Sequence, residues 1–342
     1  QISFSAYRDS VAISAQFLSQ NRDEATGLLR DALNAPRFDD AAIERVRTQI
    51  LSIIEGHQQD PDELASQAFN AQAYGDHPYA TPAEGTLDSI TAMTRDDLVA
   101  AHRAALARDR VFIGAAGDIT AQELGELIDI LVGDLPSEGA PLPGLADYAL
   151  EGGITVVDYP TPQSVTVFGH EGITRTDDDF FPAFVLNQIL GGSGFQSRLM
   201  NEVRVNRGLT YGIYSYISLA DWQPMMIGQF SSSNNLVAEA IEVTRDIWRD
   251  VAENGVSEEE LEAAKLYMTG AYPLRFEGNG TIAGILAGMQ QDGMPTEYIN
   301  TRNARVDAVT MEDIQRVAAR LLQPDGLRFV VVGQPEGLTL SD

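Results

Sequence analysis

Arg204 and Tyr211 stand seven residues apart with Gly208 between them, two hydrogen-bond donors that a turn could bring together. A guanidinium can donate to a peptide carbonyl, and a phenol can donate to an oxyanion as it forms. The pair contains no acid, so it would grip and polarise while another group breaks the bond. Both residues lie in the run Gly191-Gly192-Ser193-Gly194-Phe195-Gln196-Ser197-Arg198-Leu199-Met200-Asn201-Glu202-Val203-Arg204-Val205-Asn206-Arg207-Gly208-Leu209-Thr210-Tyr211. Its glycines permit positive φ and close backbone approach. Spacing alone allows a plainer reading, in which Arg204 faces solvent and Tyr211 is half-buried.

Other chemistry is scarce. The four histidines, His57, His77, His102 and His170, are far apart, with no two at helical or hairpin spacing. A zinc site would need long-range convergence of few ligands. With no cysteine, disulfides, thiolate metal sites and a cysteine nucleophile are excluded. There is no G-x-S-x-G element and no Walker or Rossmann phosphate loop; no lysine follows Gly191–Gly194, and that turn leaves a helix instead of leading from a strand.

The elements that must position Arg204 and Tyr211 follow from periodicity. Helical spacing is expected over 179–190, with a short amphipathic helix over 197–206 that turns Leu199, Met200 and Val203 inward. Gly208 ends it and Tyr211 starts a strand, so the turn could fold Arg204 and Tyr211 toward one place. Further strands are expected at 2–7, 11–18, 111–115, 154–158, 164–170, 226–231 and 327–332. Helices are expected at 21–33, 39–55, 61–74, 94–107, 120–131, 236–252, 257–269, 280–290 and 310–321. Strands come in pairs and helices in runs, which indicates α+β layers with helices on a largely antiparallel sheet.

Residues 86–117 overlie residues 302–333 at a constant offset of 216 without a gap. Ala92, Thr94, Asp97, Leu106, Asp109 and Gly117 fall on Ala308, Thr310, Asp313, Leu322, Asp325 and Gly333. A shared pattern of buried and turn positions at this separation implies two copies of one domain. The expected division is 1–135, a linker at 136–150 with its prolines, and 151–342. The second copy has a stretch (153–217) before its counterpart of Gln1 that the first lacks, so the first domain is expected to be cut short at its start.

The net charge of −27 repels phosphate backbones and anionic lipid and attracts basic peptides. No nucleic-acid partner is expected. No apolar run approaches the roughly 18–20 residues that span a bilayer, so membrane insertion is not expected either.

The run Leu190–Tyr211, the segment Pro273-Leu274-Arg275-Phe276-Glu277 and the loop Gly75-Asp76-His77-Pro78-Tyr79 resemble the M16 (pitrilysin/insulinase-like) zinc peptidases over essentially the whole chain. The resemblance implies two homologous domains of the M16/LuxS-like metallohydrolase type. An active half of that family carries H-x-x-E-H on a helix and a further glutamate on a later helix. An Arg/Tyr pair from the following half, here Arg204 and Tyr211, helps hold the scissile peptide. This sequence departs from the pattern. H-x-x-E-H is absent from the 342 residues, and by the repeat its helix corresponds to 179–190 and falls ahead of Gln1. The later glutamate falls at Ile53, and Glu55, two residues on, points about 200° away around the helix.

The pattern is therefore similar to the non-zinc subunit of bacterial two-chain M16 peptidases. That implies a peptide substrate, catalytic roles for Arg204 and Tyr211, substrate contacts from Gly191, Gly192, Arg204 and Tyr211, no metal here, and zinc in a heterodimeric partner. Two alternatives stay open: a complete zinc endopeptidase whose H-x-x-E-H lies before residue 1, and a non-catalytic scaffold like the core subunits of respiratory complexes. The expected location is periplasmic, with cytoplasmic as the alternative.

Overall fold

The computed structural model describes residues 1–192, 194 and 196–338. In chain order the first half comprises β1 (Ile2–Ala6), β2 (Val11–Ala15), α1 (Arg22–Asn34), α2 (Asp40–His57), α3 (Pro61–Tyr74), α4 (Leu87–Ala92), α5 (Arg95–Ala105) and α6 (Ala121–Val132). The second half comprises β3 (Gly153–Asp158), β4 (Gln163–Glu171), α7 (Phe180–Gly191), a π-helix (Met200–Asn206), β5 (Ile213–Ser218), β6 (Met225–Ser233), α8 (Val237–Asn254), α9 (Glu258–Ala271), α10 (Asn279–Gln291), α11 (Tyr298–Asp307), α12 (Met311–Leu321) and β7 (Arg328–Gly333). This is the α+β architecture that the periodicity implies.

The internal repeat is visible in the local chemistry. Thr94 caps α5 and Thr310 caps α12 with the same reciprocal box, each closed by the aspartate three residues on. Such a box satisfies two of the amides that a helix start leaves open. The offset also carries α2 onto α9 and α3 onto α10.

Two compact units result, and each draws on both halves of the sequence. One is built from 1–54, 83–142 and 272–301, the other from 55–82, 143–271 and 302–342. The exchanged stretches, 55–82 and 272–301, are close to equivalents under the repeat, so each copy lends the same piece to the other unit. The proline-bearing stretch at 136–150 has no helix or strand, but it is fastened: Ala146 is buried and its N–H donates to the Trp222 carbonyl, and Ala149 N–H donates to the Ala73 carbonyl.

The second unit holds the five-stranded sheet, in the order β3-β7-β4-β6-β5. Only β3 and β7 run parallel; the other neighbours are antiparallel. Side chains alternate across a strand, so β4 and β7 feed two cores. On one face Phe168, Phe329, Phe230 and Val331 pack with Trp248 of α8, Leu186 of α7 and Val317 of α12. On the other, Val165, Val167, Val330 and Val332 pack with Ala65, Phe69 and Ala73 of α3. Burying an aliphatic or phenyl side chain is worth about 1.5–3 kcal/mol, so β4, covered on both faces, is the anchor of this unit.

The first unit has a smaller core, in which Leu29 and Leu33 of α1 meet Leu131 of α6. Here one expectation fails. Residues 111–115 form no strand. Their counterpart β7 is held between β3 and β4, whereas 111–115 pair with no strand among the described residues. An extended segment without partners satisfies its backbone otherwise. In this case the Gln290 side-chain amide of α10 donates to the Ile113 carbonyl at 2.6 Å.

Candidate functional site

The candidate residues gather at the β5 edge of the five-stranded sheet. Helix α7, all but covered, leads to them: Phe180, Ala183, Val185, Leu186, Ile189 and Leu190 are buried. At its last turn Gly191 lies against β5. A Cβ there would sit 2.2 Å from Ser215 Oγ and 2.7 Å from the Ser215 nitrogen, so only glycine permits this approach. One turn earlier Asn187 clips the same serine. Its amide donates to the Ser215 carbonyl at 3.1 Å and accepts from Ser215 Oγ at 2.9 Å. Because β5 is an edge strand, this buried pair supplies bonds that a neighbouring strand would otherwise give. The structure thus accounts for Gly191 by helix–strand packing, and Gly192 rests on Gln188 of its own helix.

Arg198 anchors the following segment. Its Nε and Nη2 donate to both oxygens of Glu260 at 2.7 and 2.8 Å, and Nη1 reaches Asp250 at 2.9 Å. The Arg198 guanidinium holds the Glu260 carboxyl down at about 2. The helix that begins here is wide-turned over 200–206, where periodicity predicts an ordinary amphipathic helix. Such π turns frequently mark functional sites. It ends at Gly208, whose φ of +66° no β-carbon residue adopts cheaply. Gly208 N–H donates to the Arg204 carbonyl and Leu209 N–H to the Val203 carbonyl, a Schellman-like ending widened by one residue.

Tyr211 does not start the strand; β5 begins at Ile213. Residues 209–212 are pinned out of sheet pairing by side chains. Ser232 Oγ donates to the Leu209 carbonyl at 2.6 Å, and the Thr210 hydroxyl lies 2.7 Å from the Ser231 carbonyl while accepting from Gly212 N–H at 3.1 Å. Tyr211 projects from this clamp with 84% of its surface exposed. Arg204 is half-buried. The plainer expectation of an exposed arginine and a half-buried tyrosine is therefore inverted. Sequence reasoning missed Thr210 and Ser232, although a hydroxyl residue two places before a glycine amide is the signature of a local side-chain turn.

The residues present do not fit a zinc ion. Helix α7, the second-copy counterpart of the helix that bears H-x-x-E-H in an active half, contains no histidine and no acid. Ile53 is partly covered on α2, and Glu55 is exposed. No group of three or more His, Asp or Glu side chains among the described residues could hold a metal. His170, buried in the sheet, is committed elsewhere: Trp248 Nε1 donates to its Nε2 at 3.0 Å, and Nδ1–H donates to the Glu171 carbonyl. His77 accepts from Tyr79 N–H through Nδ1 and donates from Nε2 to the Gly144 carbonyl, which ties down the Gly75–Tyr79 loop.

Comparison with known proteins agrees with this geometry. Residues 92–268 match the family described as "Peptidase M16 inactive domain". The chain belongs to the M16 peptidase family, and the matched portion is its inactive domain. A crystal structure of a peptidase M16 inactive domain from Pseudomonas fluorescens superposes with a TM-score of 0.88 at 26% identity, covering 100% of this chain and 82% of that one. The non-peptidase homolog YmxG of Helicobacter pylori is 24% identical over 325 residues, 95% of this chain and 75% of that protein. An uncharacterized zinc protease of Streptomyces coelicolor, SCO5738, is 26% identical over 321 residues, 90% of this chain and 68% of that protein. No helix among the described residues is long and apolar enough to cross a membrane.

Proposed function

We propose that this chain is the non-zinc subunit of a heteromeric M16 peptidase, and that it lends Arg204 and Tyr211 to an active site completed by a zinc-bearing partner. The observation that carries the reading is Tyr211: a phenol 84% exposed on a backbone fastened on both sides. An exposed side chain on a rigid base costs little to order when a partner covers it. Its hydroxyl donates to the oxyanion of the tetrahedral intermediate, and the Arg204 guanidinium holds a carbonyl of the peptide. Metal and hydrolytic water are assigned to the partner, since an apolar residue, Ile53, stands where the family's later glutamate falls. The surface charge of −27 favours basic peptides. The periplasm is the proposed location.

The test is Tyr211→Phe in the assembled complex. Turnover falls by about 10²–10³, the usual loss for one oxyanion donor, while assembly is unchanged. Unchanged turnover rejects the role. A second reading, a complete zinc peptidase, is favoured by the name of the S. coelicolor relative. Zinc analysis of the full gene product decides between them: one tightly bound zinc per chain, with peptidase activity in the absence of any partner, establishes the second.

A further inference from the structure

Tyr211 is an exposed residue whose two flanking residues are tied down, and the ties come from one place. Thr210 is buried, and its hydroxyl has three polar neighbours: the Ser231 carbonyl at 2.7 Å, the Gly212 carbonyl at 2.9 Å and the Gly212 N–H at 3.1 Å. A hydroxyl has one proton to give. The nearer carbonyl, that of Ser231, takes it, and the lone pairs accept from Gly212 N–H. The second tie is Ser232, also buried, whose hydroxyl donates to the Leu209 carbonyl. Ser231 and Ser232 belong to β6, among the described residues the only strand paired with β5. β6 thus reaches past the end of the ladder and holds residues 209 and 210, while Thr210 in turn holds 212, leaving 211 as the one position in the turn that faces outward.

We infer that Thr210, seconded by Ser232, is a positioning residue that sets the direction of the Tyr211 phenol; the inference rests on the catalytic reading of Tyr211. The hydrogen bond from Gly212 N–H to Thr210 Oγ1 spans Tyr211 and fixes the backbone on which its ring turns. Because Thr210 and Ser232 are covered, water cannot easily replace a lost hydroxyl, and the freed amide and carbonyls would rearrange to find partners. The stem of Tyr211 would then move while the ring itself kept all its atoms. The inference accounts for the hydroxyl residues at two covered positions of the turn.

The experiment compares Thr210→Val, which keeps the shape and removes the hydroxyl, with Thr210→Ser, which restores it. In the isolated chain, 3-fluorotyrosine at position 211 is followed by ¹⁹F NMR, and exchange of the Gly212 amide is measured alongside. Thr210→Val is expected to narrow and shift the ¹⁹F line and to speed Gly212 exchange, and Thr210→Ser to restore both. In the assembled complex Thr210→Val should lower kcat by about 10- to 100-fold at unchanged KM, the penalty for misplacing a catalytic group by about 1 Å, with rescue by serine. Should Thr210→Val not fold, Ser232→Ala takes its place with the same expectations. An unaltered ¹⁹F line and unaltered Gly212 exchange overturn the inference whatever the activity. Tyr211→Phe in the same assay separates the two failures. Full turnover there removes the catalytic reading, whereas reduced turnover there with wild-type rates in Thr210→Val overturns the positioning role alone.

Discussion

Acidification from pH 7 to pH 4 should destabilise this protein through His170. The imidazole is buried in the sheet between the Trp248 indole N–H and the Glu171 carbonyl. Burial pushes its pKa down to about 4, against a partial upward pull from the Glu171 carbonyl. Nε2 must stay unprotonated to accept from Trp248, so a second proton would break that bond in a site without a counter-charge. The unfolded chain takes up the proton near pH 6.5 and the folded chain only near pH 4. Between these values the unfolded state binds more protons, and stability falls as pH falls. The loss is complete below about pH 4 and absent above about pH 6.5. At 1.36 kcal/mol per unit the difference amounts to about 3 kcal/mol. Urea denaturation at pH 7 and pH 4 in the wild type and in His170→Phe isolates this contribution from the carboxylates. The variant should start less stable, with two polar groups left unpaired, and should lose about 3 kcal/mol less on acidification. Parallel losses, or an NMR titration of the His170 ring centred near pH 6.5, would refute the argument.

Gly191→Ala forces a methyl group onto the Ser215 backbone nitrogen, which cannot rotate away, and should cost about 1–3 kcal/mol by urea denaturation. A midpoint equal to the wild type would show that α7 and β5 are not in the contact described. Arg198→Met removes the ion pair that holds Glu260 at about 2, below its ordinary 4.5. That pair stabilises the folded chain above about pH 4.5 and is lost as pH falls toward 2. With the Glu260 side chain 31% exposed, screening limits its contribution to about 1 kcal/mol, and the variant's urea midpoint should depend correspondingly less on pH between 6 and 3.

What could be read from the sequence was local. Asp60-Pro61 marks the start of α3, since the aspartate side chain accepts from Asp62 N–H and proline suits the first turn. The threonine–aspartate boxes of α5 and α12 are equally self-contained. What escaped depends on partners distant in the chain. Residues 111–115 have strand composition, but strand formation needs paired neighbours, and none is found among the described residues. The six-residue α4 and the polar α11 are weak in periodicity because one is short and the other buries little beyond Arg302 and Val306. The helix at 200–206 is flanked by clips to α9 and β6 from Arg198, Leu209 and Thr210, long-range contacts that composition does not announce. Arg204 and Tyr211 could be singled out from their residue types and spacing; the Thr210 and Ser232 hydroxyls that fasten the turn beside Tyr211 could not.

The exchange of 55–82 for 272–301 bears on how the chain acquires its shape during synthesis. On a ribosome the unit containing Gln1 must wait for residue 301 to emerge, and the sheet-bearing unit, whose central partner β7 closes at Gly333, waits longer still. Such late closure keeps apolar helix faces open in the nascent polypeptide and invites chaperone capture. It also means that a break in the proline-bearing stretch near residue 140 would leave two fragments, neither able to assemble a complete unit by itself.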